Sequence, residues 1–397
     1  MAAPGTPLIV GILAEHNDRE RRVALDPTSA ARLEQSGRSV TFENGSGAAA
    51  SFLDEAYIKA GASLASRADV LRLSDVLPVL RLPDAAELKQ ARSGQLIIGL
   101  IDPLNNLDAV QALNARGVTL VALDLLPRTL SRAQSMDALS SQSSAAGYRA
   151  AIVAAERFGR YLPMMITASG TATPAKVIVI GTGVAGLQAI ATLKRLGAVV
   201  TGYDVRPASR GEVESLGARF LTSSVASAAG EGGYARILTD DERAVQQAEL
   251  ASALSAFDII ITTARVPGRT PPVLVSEDTL ATLRPGSVCI DLGASDRGGN
   301  IVGSVDGSSV TTPNGVVIVG AGNLAADLPI SASEMYGRNI MAALESLAPS
   351  GTIVIDPTDE IHRNIVVTHG GEVVNAAIRV ALKLDPLPLV AQGEKVA

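Results

Sequence analysis

Short runs of aliphatic and β-branched residues alternate with amphipathic stretches along the first third of the 397-residue chain. Apolar runs of this length predict strands, and apolar positions spaced by three and four predict helices. The predicted strands are residues 8–13, 39–45, 94–101 and 118–124, and the predicted helices are residues 27–37, 54–62 and 105–117. Strands that alternate with helices are typical of parallel βαβ units, so this order predicts a doubly wound α/β domain.

A second alternating block follows an Ala-rich stretch, residues 140–162, that has helical spacing and no strand-like run. Its predicted strands are residues 176–180, 199–204, 218–221, 258–263, 287–292 and 316–320. Another long helical stretch, 329–348, follows, and then two apolar runs, 352–356 and 363–374, that predict a short β pair. Two long helices that flank a compact block indicate an inserted domain. We therefore predict two doubly wound domains linked by long helices, a discontinuous one of residues 1–140 and 329–397 and an inserted one of residues 141–328.

One excursion, residues 222–250, interrupts the second block and is rich in Gly, Ala and Ser in its first half. We predict a loop here. A loop of this length inside a compact domain is either functional or a plain solvated connection, and the residues alone leave both open.

Composition excludes several classes of function. Hydrophobic residues make up 47% and charged residues 19% of the chain, which rules out general disorder. A net charge of −6, no Trp and 3% aromatic residues argue against a nucleic-acid partner. One cysteine, Cys289, and three histidines argue against an intramolecular disulfide and a multi-Cys or His-rich metal site. We find neither a secretory leader nor a run of about 18 apolar residues, so we expect a cytoplasmic chain without a membrane span.

The strongest motif is a glycine fingerprint at the start of the second block. Gly181, Gly183 and Gly186 follow a β-branched strand and open a helix, and Asp204 ends the next strand. This spacing is typical of a Rossmann-like dinucleotide site, where the glycines admit the pyrophosphate and the acid binds a ribose hydroxyl. A carboxylate repels a 2′-phosphate, so the motif favours NAD(H) over NADP(H). Arg206 has two possible interpretations: it could shield the charge of a 2′-phosphate, or it could be a solvated side chain near the adenosine end of the cofactor.

Polar groups also follow later strands of this block. Thr262 and Thr263 end one predicted strand, while Asp291, Asp296 and Asn300 surround the end of the next. Ligands of open α/β sheets bind at the carboxyl ends of strands, so Thr263 and Asn300 are candidates for the nicotinamide end. The alternative for each is an ordinary turn.

A polar loop, residues 127–143, follows the last predicted strand of the first block. It combines donors and acceptors, namely Arg128, Arg132, Gln134, Asp137 and Ser140, and Arg128 with Asp137 is a candidate buried pair. The loop has no Cys or His that could serve as nucleophile or proton shuttle. One reading is a capped helix start with solvated charges, and the other is a loop that positions a cofactor. Hydride transfer between two nicotinamides needs no protein base.

The sequence of this loop, RAQSMDALSSQSSAAGYRA from Arg132, resembles the NAD(H)-binding domain I of proton-translocating NAD(P)+ transhydrogenases. The segments GEGGYA from residue 230 and IITTARVPGRTPPVLVSEDTL from residue 260 are also similar, in the same order. The resemblance extends from about Val10 to the C-terminal region and places the chain in the alanine dehydrogenase/transhydrogenase family.

The resemblance implies roles for individual residues. Arg128, Gln134, Asp137 and Ser140 match residues that hold and orient the nicotinamide, and Gln134 also bridges toward NADP. Tyr234 matches the tip of a mobile loop that closes over NAD(H), and Asp204 matches the acid at the adenosine ribose. The expected cofactor-binding residues are Gly181, Gly183, Val184, Gly186, Asp204, Val205, Arg206, Gly233, Tyr234, Thr263, Ala264 and Asn300.

The resemblance also implies partners. The family domain is a dimer and docks on an NADP(H)-binding domain carried by membrane-embedded transhydrogenase subunits. Hydride passes directly from NADH to NADP+ there, coupled to proton movement through the membrane subunit. We therefore expect a homodimer that associates with the membrane peripherally, through these partners.

An alanine-dehydrogenase-like oxidoreductase is the alternative enzyme. Arg22 in ERRVALDP resembles the arginine that binds the substrate carboxylate of alanine dehydrogenase. Val79 stands where that enzyme needs a lysine, and the segment LIIGLIDPL, residues 96–104, has no histidine at the end of the next strand, so oxidative deamination lacks a side chain for proton transfer. Ser295 with Asp296, and the neighbours of Asn323, depart from the transhydrogenase pattern. A non-enzymatic NAD(H)-binding module is the third reading.

Overall fold

The computed structural model describes residues 7–16, 19–206, 208–222, 239–265 and 270–387. The chain divides into two compact units, a first unit of residues 1–142 and 329–397 and a second unit of residues 143–328. Each unit has a central, mainly parallel sheet with helices in its crossover connections, which confirms the predicted fold class. No helix among the described residues has both the length and the apolar character that a membrane span requires.

The N-terminal segment contributes six strands and five helices to the described part of the first unit. They are β1 (Ile9–Ile12), α1 (Pro27–Gln35), β2 (Ser39–Glu43), α2 (Asp54–Lys59), β3 (Ser63–Ala65), α3 (Arg67–Leu73), β4 (Val76–Val79), α4 (Ala85–Leu88), β5 (Leu96–Gly99), α5 (Leu107–Ala115) and β6 (Thr119–Ala122). Local chemistry sets several of these bounds. Asp26 caps α1 by accepting from Thr28 N, and Ser66 caps α3.

The next helix, α6 (Ala138–Arg157), runs across the boundary between the two units. The described elements that follow in the second unit are β7 (Met165–Thr167), β8 (Gly170–Ala172), β9 (Lys176–Ile180), α7 (Val184–Arg195), β10 (Val199–Tyr203), α8 (Ser209–Ser215), β11 (Arg219–Phe220), α9 (Asp240–Leu254), β12 (Ile259–Thr262), α10 (Glu277–Thr282), β13 (Val288–Asp291), β14 (Ser309–Thr311) and β15 (Val317–Gly320). The C-terminal segment returns to the first unit with α11 (Pro329–Leu347), α12 (Glu360–Ile365), β16 (Val366–His369), β17 (Glu372–Val373) and α13 (Ala376–Ala381).

The sheet of the first unit has the strand order β17-β16-β6-β5-β4-β1-β2-β3. The strands β1 to β6 pair in parallel, whereas β16 is antiparallel to β6 and β17. The strand order reverses between β1 and β4, where Val10 pairs with Val76. Clefts at such switch points are where open α/β sheets bind ligands.

The sheet of the second unit has the order β11-β10-β9-β12-β13-β15-β14, and β14 is its antiparallel strand. Its switch point lies between β9 and β12, so the segments that begin at Gly181 and Thr263 leave the sheet side by side. Alternate residues of β9 face opposite sides: Val177 and Val179 join one core cluster, and Ile178 and Ile180 join another. Burial on both faces explains why these strands are continuous apolar runs.

Two local predictions are wrong. Residues 240–250, predicted as part of a loop, belong to α9, which begins with a capping box in which Thr239 and Glu242 bond each other's backbone N–H groups. Residues 352–356, predicted as a strand, form no strand although all are described. The β pair instead forms within the run 363–374, where Gly370 and Gly371 have φ values of +60° and +81° and make the two-residue turn between β16 and β17.

Candidate functional site

The glycine fingerprint forms a tight turn, residues 181–186, between β9 and α7. Gly181 has a φ of +88°, and a Cβ atom on Gly186 would lie 2.0 Å from the Gly181 carbonyl oxygen, so both positions need glycine. Gly183 is the N-cap of α7, which begins at Val184, and a Cβ atom on Gly183 would meet open space. The first N–H groups of α7 therefore border open space, the arrangement that binds phosphate at a helix N-terminus.

The Asp204 carboxylate lies beside this turn and is tightly held. Its Oδ2 atom accepts hydrogen bonds from Thr182 N at 2.8 Å and Thr182 Oγ1 at 3.1 Å. Arg206 donates to Oδ1 from its backbone N at 2.9 Å and from Nε at 3.1 Å, and to Oδ2 from Nη2 at 3.1 Å. Burial raises the pKa of Asp204, but the bonds from Arg206 and Thr182 outweigh it and hold the pKa below its usual value. Asp204 is therefore ionised at neutral pH, with the half-buried Val205 next to it.

The segment after β12 completes this edge of the second sheet. Thr263 Oγ1 donates to the Gly181 carbonyl oxygen at 2.8 Å. Asn300 is fully buried, and its amide pairs with the backbone of Ala264: Oδ1 accepts from Ala264 N at 3.0 Å and Nδ2 donates to Ala264 O at 2.9 Å. Nδ2 also donates to Pro272 O at 2.8 Å. The Asn300 side chain thus holds the Ala264 backbone, and any effect on a ligand would pass through that backbone.

Other predicted groups do not join this edge. Asp291 is fully buried and accepts a hydrogen bond from Thr262 Oγ1 at 3.0 Å, which makes both residues part of the sheet interior. Asp296 is exposed. Gly233 and Tyr234 lie outside the described residues.

Two residues at this edge were not predicted. Thr182, inside the fingerprint, fixes Asp204 by two hydrogen bonds and is fully buried. Arg265 Nη2 donates to the carbonyl oxygens of Ala294 at 3.1 Å and Gly322 at 3.0 Å, so it ties together the segments after three neighbouring strands. Thr182 occupies the variable position of the G-x-G motif, so the motif gives no sign of its role. The role of Arg265 depends on contacts with residues that are distant in sequence.

In the first unit, the polar loop brings three of its predicted residues together. Asp137 Oδ1 accepts from Ser140 N at 2.8 Å and so caps α6, while Oδ2 accepts from Ser140 Oγ at 2.6 Å. Arg128 Nη2 donates to Ser140 Oγ at 3.0 Å, and Arg128 Nε lies 3.5 Å from Asp137 Oδ2. The predicted pair therefore forms, but the Arg128 side chain is 35% exposed, so the prediction that the pair is buried is wrong.

Gln134 lies on a 3₁₀ helix, Ser131–Met136, in the middle of the polar loop, and is exposed. Ala133 and Met136 on the same helix are buried in the core of the first unit. Arg132 donates to both carboxylate oxygens of Asp359, at 2.7 and 3.1 Å, and these bonds lower the pKa of Asp359 to about 2. The helix is thus anchored on both sides of Gln134, and the amide of Gln134 faces solvent.

Arg22 is buried and its guanidinium group is engaged from within the chain. Nε and Nη2 donate to the two carboxylate oxygens of Glu20 at 2.7 and 2.6 Å, and Nη1 donates to Gln142 Oε1 at 2.7 Å. The side chains of Arg22 and Glu20 are 6% and 1% exposed. A bidentate internal carboxylate occupies the donors that a substrate carboxylate would use.

At the switch point of the first sheet, an apolar side chain stands at the position where alanine dehydrogenase needs a lysine. Val79 is buried at the end of β4, and its carbonyl oxygen accepts from Tyr336 Oη at 2.6 Å. Glu15 is a titratable group here that was not predicted; it accepts from Leu80 N at 2.9 Å. Burial, and to a lesser extent the charge of Glu20, raise the pKa of Glu15 to about 7.

Family models match both halves of the chain: "Alanine dehydrogenase/PNT, N-terminal domain" over residues 11–146 and "Alanine dehydrogenase/PNT, C-terminal domain" over residues 150–376. The chain belongs to the alanine dehydrogenase/PNT family. The NAD(P) transhydrogenase subunit alpha of Cereibacter sphaeroides is 40% identical over 370 residues, which cover 92% of this chain and 70% of that protein. The crystal structure of transhydrogenase from Sinorhizobium meliloti matches with a TM-score of 0.81 and 41% identity, over 93% of this chain and 99% of that one.

An L-alanine dehydrogenase structure also matches, with a TM-score of 0.77 and 22% identity over 95% of this chain and 99% of that one. At that identity the match shows the shared fold alone. The sequence relatives on the transhydrogenase side are much more similar, and the family together with the Rossmann-like second unit shows a nucleotide-binding protein of the transhydrogenase type.

Proposed function

We propose that the chain is the NAD(H)-binding alpha subunit of a proton-translocating NAD(P)+ transhydrogenase, which passes hydride from NADH to NADP+ held by a partner subunit. The observation that carries the proposal is the polar loop. Its charged groups bond one another, its core residues anchor it, and the amide of Gln134 remains exposed. Such a loop can position a nicotinamide ring but has no Cys or His to act as nucleophile or proton shuttle, which suits direct transfer between two cofactors.

The residues of the second unit fit NAD(H). Gly183 and Val184 offer open space and helix N–H groups to the pyrophosphate, and the close approach at Gly181 and Gly186 shapes the turn beneath it. Asp204 supplies an ionised acceptor for the adenosine ribose. Arg206 donates hydrogen bonds to both oxygens of that carboxylate, so a ribose hydroxyl would share the carboxylate with Arg206 or displace its guanidinium group. Bound NAD(H) would supply the hydride.

Two sets of residues are assigned to the nicotinamide. Thr263 and Asn300 hold the backbone around Gly181 and Ala264, so they keep this edge of the second sheet rigid. Arg128, Asp137 and Ser140 orient the polar loop, and Gln134 orients the ring and bridges toward the partner's NADP(H). Gly233 and Tyr234 are assigned to a loop that closes over NAD(H).

The proposed partners are membrane-embedded transhydrogenase subunits that carry the NADP(H)-binding domain, and a second copy of this chain. The names of the relatives, subunit alpha, support the first partner. The β7-β8 hairpin of the second unit and the segment before it support the second partner: Ile166 on β7 is 77% exposed, Met164 directly before β7 is 60% exposed, and Tyr161, four residues before β7, is 63% exposed. Apolar side chains clustered in this way on a short edge favour association. Membrane association is then peripheral and passes through the partner subunits.

Isotope transfer tests the proposal. The chain is mixed with the NADP(H)-binding partner subunits of a transhydrogenase, NADP+ and NADH that carries two deuterium atoms at C4 of the nicotinamide. Direct transfer places deuterium in the NADPH formed and none in the solvent. A parallel sample receives pyruvate and ammonium in place of NADP+ and partner. NADH oxidation in that sample alone would make the alanine-dehydrogenase-like function the better one, and NADH binding without oxidation in either sample would leave a binding module.

A further inference from the structure

Asn339 lies in α11, is 7% exposed, and uses both ends of its amide on the polar loop. Nδ2 donates to the carbonyl oxygen of Ser135 at 2.8 Å, and Oδ1 accepts from Ser141 Oγ at 2.7 Å. These two serines flank the segment of the loop that contains Asp137 and Ser140. One side chain of α11 thus holds the loop on both sides of that segment.

A second amide strengthens the attachment. Gln142, in the first turns of α6, donates from Nε2 to the carbonyl oxygen of Ala332 at 3.0 Å and accepts from Arg22 Nη1 at 2.7 Å. Ala332 and Asn339 are seven residues apart and therefore lie on the same face of α11. The start of α6 is bonded to this face at two points, two helical turns apart.

The packing around Asn339 does not by itself require an amide side chain. The neighbours Ile340, Ala343 and Leu344 of α11 are buried apolar residues, and a buried amide costs free energy unless its donors and acceptor are satisfied. An apolar side chain of similar volume could pack against these neighbours but would leave the Ser135 carbonyl oxygen and the Ser141 hydroxyl without the amide. The bonds to Ser135 and Ser141 are therefore the contribution that is specific to asparagine.

We infer that Asn339 is a positioning residue for Gln134. The Ser135 carbonyl that Asn339 binds belongs to the residue directly after Gln134, on a 3₁₀ helix. Helices of this type have poorer hydrogen-bond geometry than α-helices and gain more from a bond made by another element. The Ser135 carbonyl lies in the peptide bond between Ser135 and Met136, so Asn339 restrains the part of the 3₁₀ helix directly after Gln134 and, through it, the backbone from which the exposed Gln134 side chain projects. The effect on hydride transfer rests on the proposed function, whereas the effect on the order of the loop does not.

Two variants separate the bonds. Asn339→Leu removes both at similar volume, and Asn339→Asp keeps the acceptor for Ser141 while it loses the donor to Ser135. Asn375→Leu is the matched control, because Asn375 is also buried at 5% exposure, donates to the Asn364 carbonyl oxygen at 2.7 Å and accepts from Ile378 N at 3.2 Å, away from the polar loop.

Two measurements decide the inference. Amide hydrogen exchange of the chain reports the order of residues 131–140, and stopped-flow transfer from NADH to NADP+ with the partner subunits reports the positioning of the ring. We expect both Asn339 variants to exchange faster in this segment and to transfer hydride about 10- to 100-fold more slowly, because small misplacements of reacting groups are this costly. The NADH dissociation constant should change little, and the Asn375→Leu control should change only stability.

Wild-type exchange and wild-type transfer in the Asn339 variants would overturn the inference. A loss of NADH affinity as large as the loss of rate would do so too, since it would show a general disturbance of binding. If Asn339→Leu does not fold, Asn339→Asp decides. Should the wild-type chain itself fail to reduce NADP+, the proposed function falls, and the exchange measurement still settles the role of Asn339 in the loop.

Discussion

Thr263 Oγ1 donates a hydrogen bond of 2.8 Å to the carbonyl oxygen of Gly181 across the switch point of the second sheet. This bond joins the segment after β12 to the fingerprint turn after β9. The same carbonyl oxygen is the atom that a side chain on Gly186 would strike. The turn that presents the N-terminus of α7 is therefore held from both sides, by a close helix contact and by a threonine of the neighbouring strand.

The first prediction concerns this bond. Thr263→Val keeps the shape of the side chain but leaves the Gly181 carbonyl without the hydroxyl donor. A lost hydrogen bond of about 1 kcal/mol corresponds to an increase of about fivefold in the NADH dissociation constant, measured by calorimetry. The control is Thr192→Val, because Thr192 is 5% exposed and its hydroxyl bonds the Gln188 carbonyl oxygen at 2.8 Å within α7. Equal NADH affinity of the two variants would contradict a role of Thr263 in the turn.

The second prediction concerns cofactor choice. Asp204 is held ionised by Arg206 and Thr182, so we expect the wild-type chain to bind NADH in preference to NADPH. Asp204→Asn removes the negative charge, and we expect the ratio of the two dissociation constants to shrink by about tenfold or more, since hydrogen bonds to charged groups contribute about 1.5–3 kcal/mol. Fluorescence titration with both nucleotides measures the ratio.

The control for that titration is Asp258→Asn. The Asp258 carboxylate accepts from Lys176 N at 2.9 Å, so it resembles Asp204 in accepting a hydrogen bond from a backbone N–H, but it lies at the amino end of β9. The ratio should be unchanged in this variant. Equal affinities of the wild-type chain for NADH and NADPH would remove Asp204 from the ribose site.

The candidate site of the second unit could be predicted from the sequence more completely than that of the first unit, because its signals are local. The segment from Gly181 to Asp204 is short, and its glycines and its acid are residue types that the backbone geometry and the charge of the site require. The helix and the strand between them follow from the spacing of apolar residues. The capping box at Thr239 and Glu242 is equally local, yet its signal was hidden in a segment whose composition indicates a loop. The composition of the long segment 222–250 indicates a loop, and this average concealed the four-residue capping box of residues 239–242.

The contacts that attach the polar loop to the rest of the first unit are not local. Arg22 and Gln142 are 120 residues apart in the chain, and Ser141 and Asn339 are 198 apart. No periodic sequence pattern predicts such contacts, because they form only when the chain returns to the first unit, as it does with α11. Glu15 is similar: its raised pKa results from packing around the switch point, and no motif marks it.

The third prediction concerns the pH dependence of stability. Burial raises the pKa of Glu15 from 4.5 to about 7, so between these pH values the folded chain holds a proton that the unfolded chain has released. The contribution of Glu15 to stability is thus most favourable below about pH 4.5 and becomes less favourable up to about pH 7. Glu15→Gln keeps an acceptor for Leu80 N and cannot ionise. We expect the variant to gain stability relative to wild type across this range, by about 3 kcal/mol at most.

Urea unfolding of both chains at several pH values between 5 and 8 measures this difference. Glu55→Gln, at an exposed position of α2, is the control and should show a difference from wild type that does not depend on pH. A pH-independent difference for Glu15→Gln as well would show that Glu15 titrates normally in the folded chain.

The fourth prediction concerns Gln134. Its exposed amide sits on a 3₁₀ helix that Ala133 and Met136 anchor in the core and that Arg132 ties to Asp359. Gln134→Asn keeps the amide and shortens its reach by one methylene group. We expect hydride transfer to NADP+ in the presence of the partner subunits to slow by about 10²-fold, because transfer depends steeply on the approach of the two rings. NADH affinity should stay close to that of wild type, since the substitution leaves the proposed pyrophosphate and ribose sites of the second unit unchanged.

Stopped-flow transfer and a separate NADH titration distinguish positioning from binding. Gln90→Asn is the matched control, because Gln90 is an exposed glutamine of the same unit that follows α4, outside the polar loop, and its shortening should leave both quantities unchanged. A large loss of rate with unchanged affinity in Gln134→Asn alone would establish that the amide orients the hydride donor. A near-normal rate would mean that the loop serves to cap α6, because the bonds among Arg128, Asp137 and Ser140 persist without any contribution from Gln134.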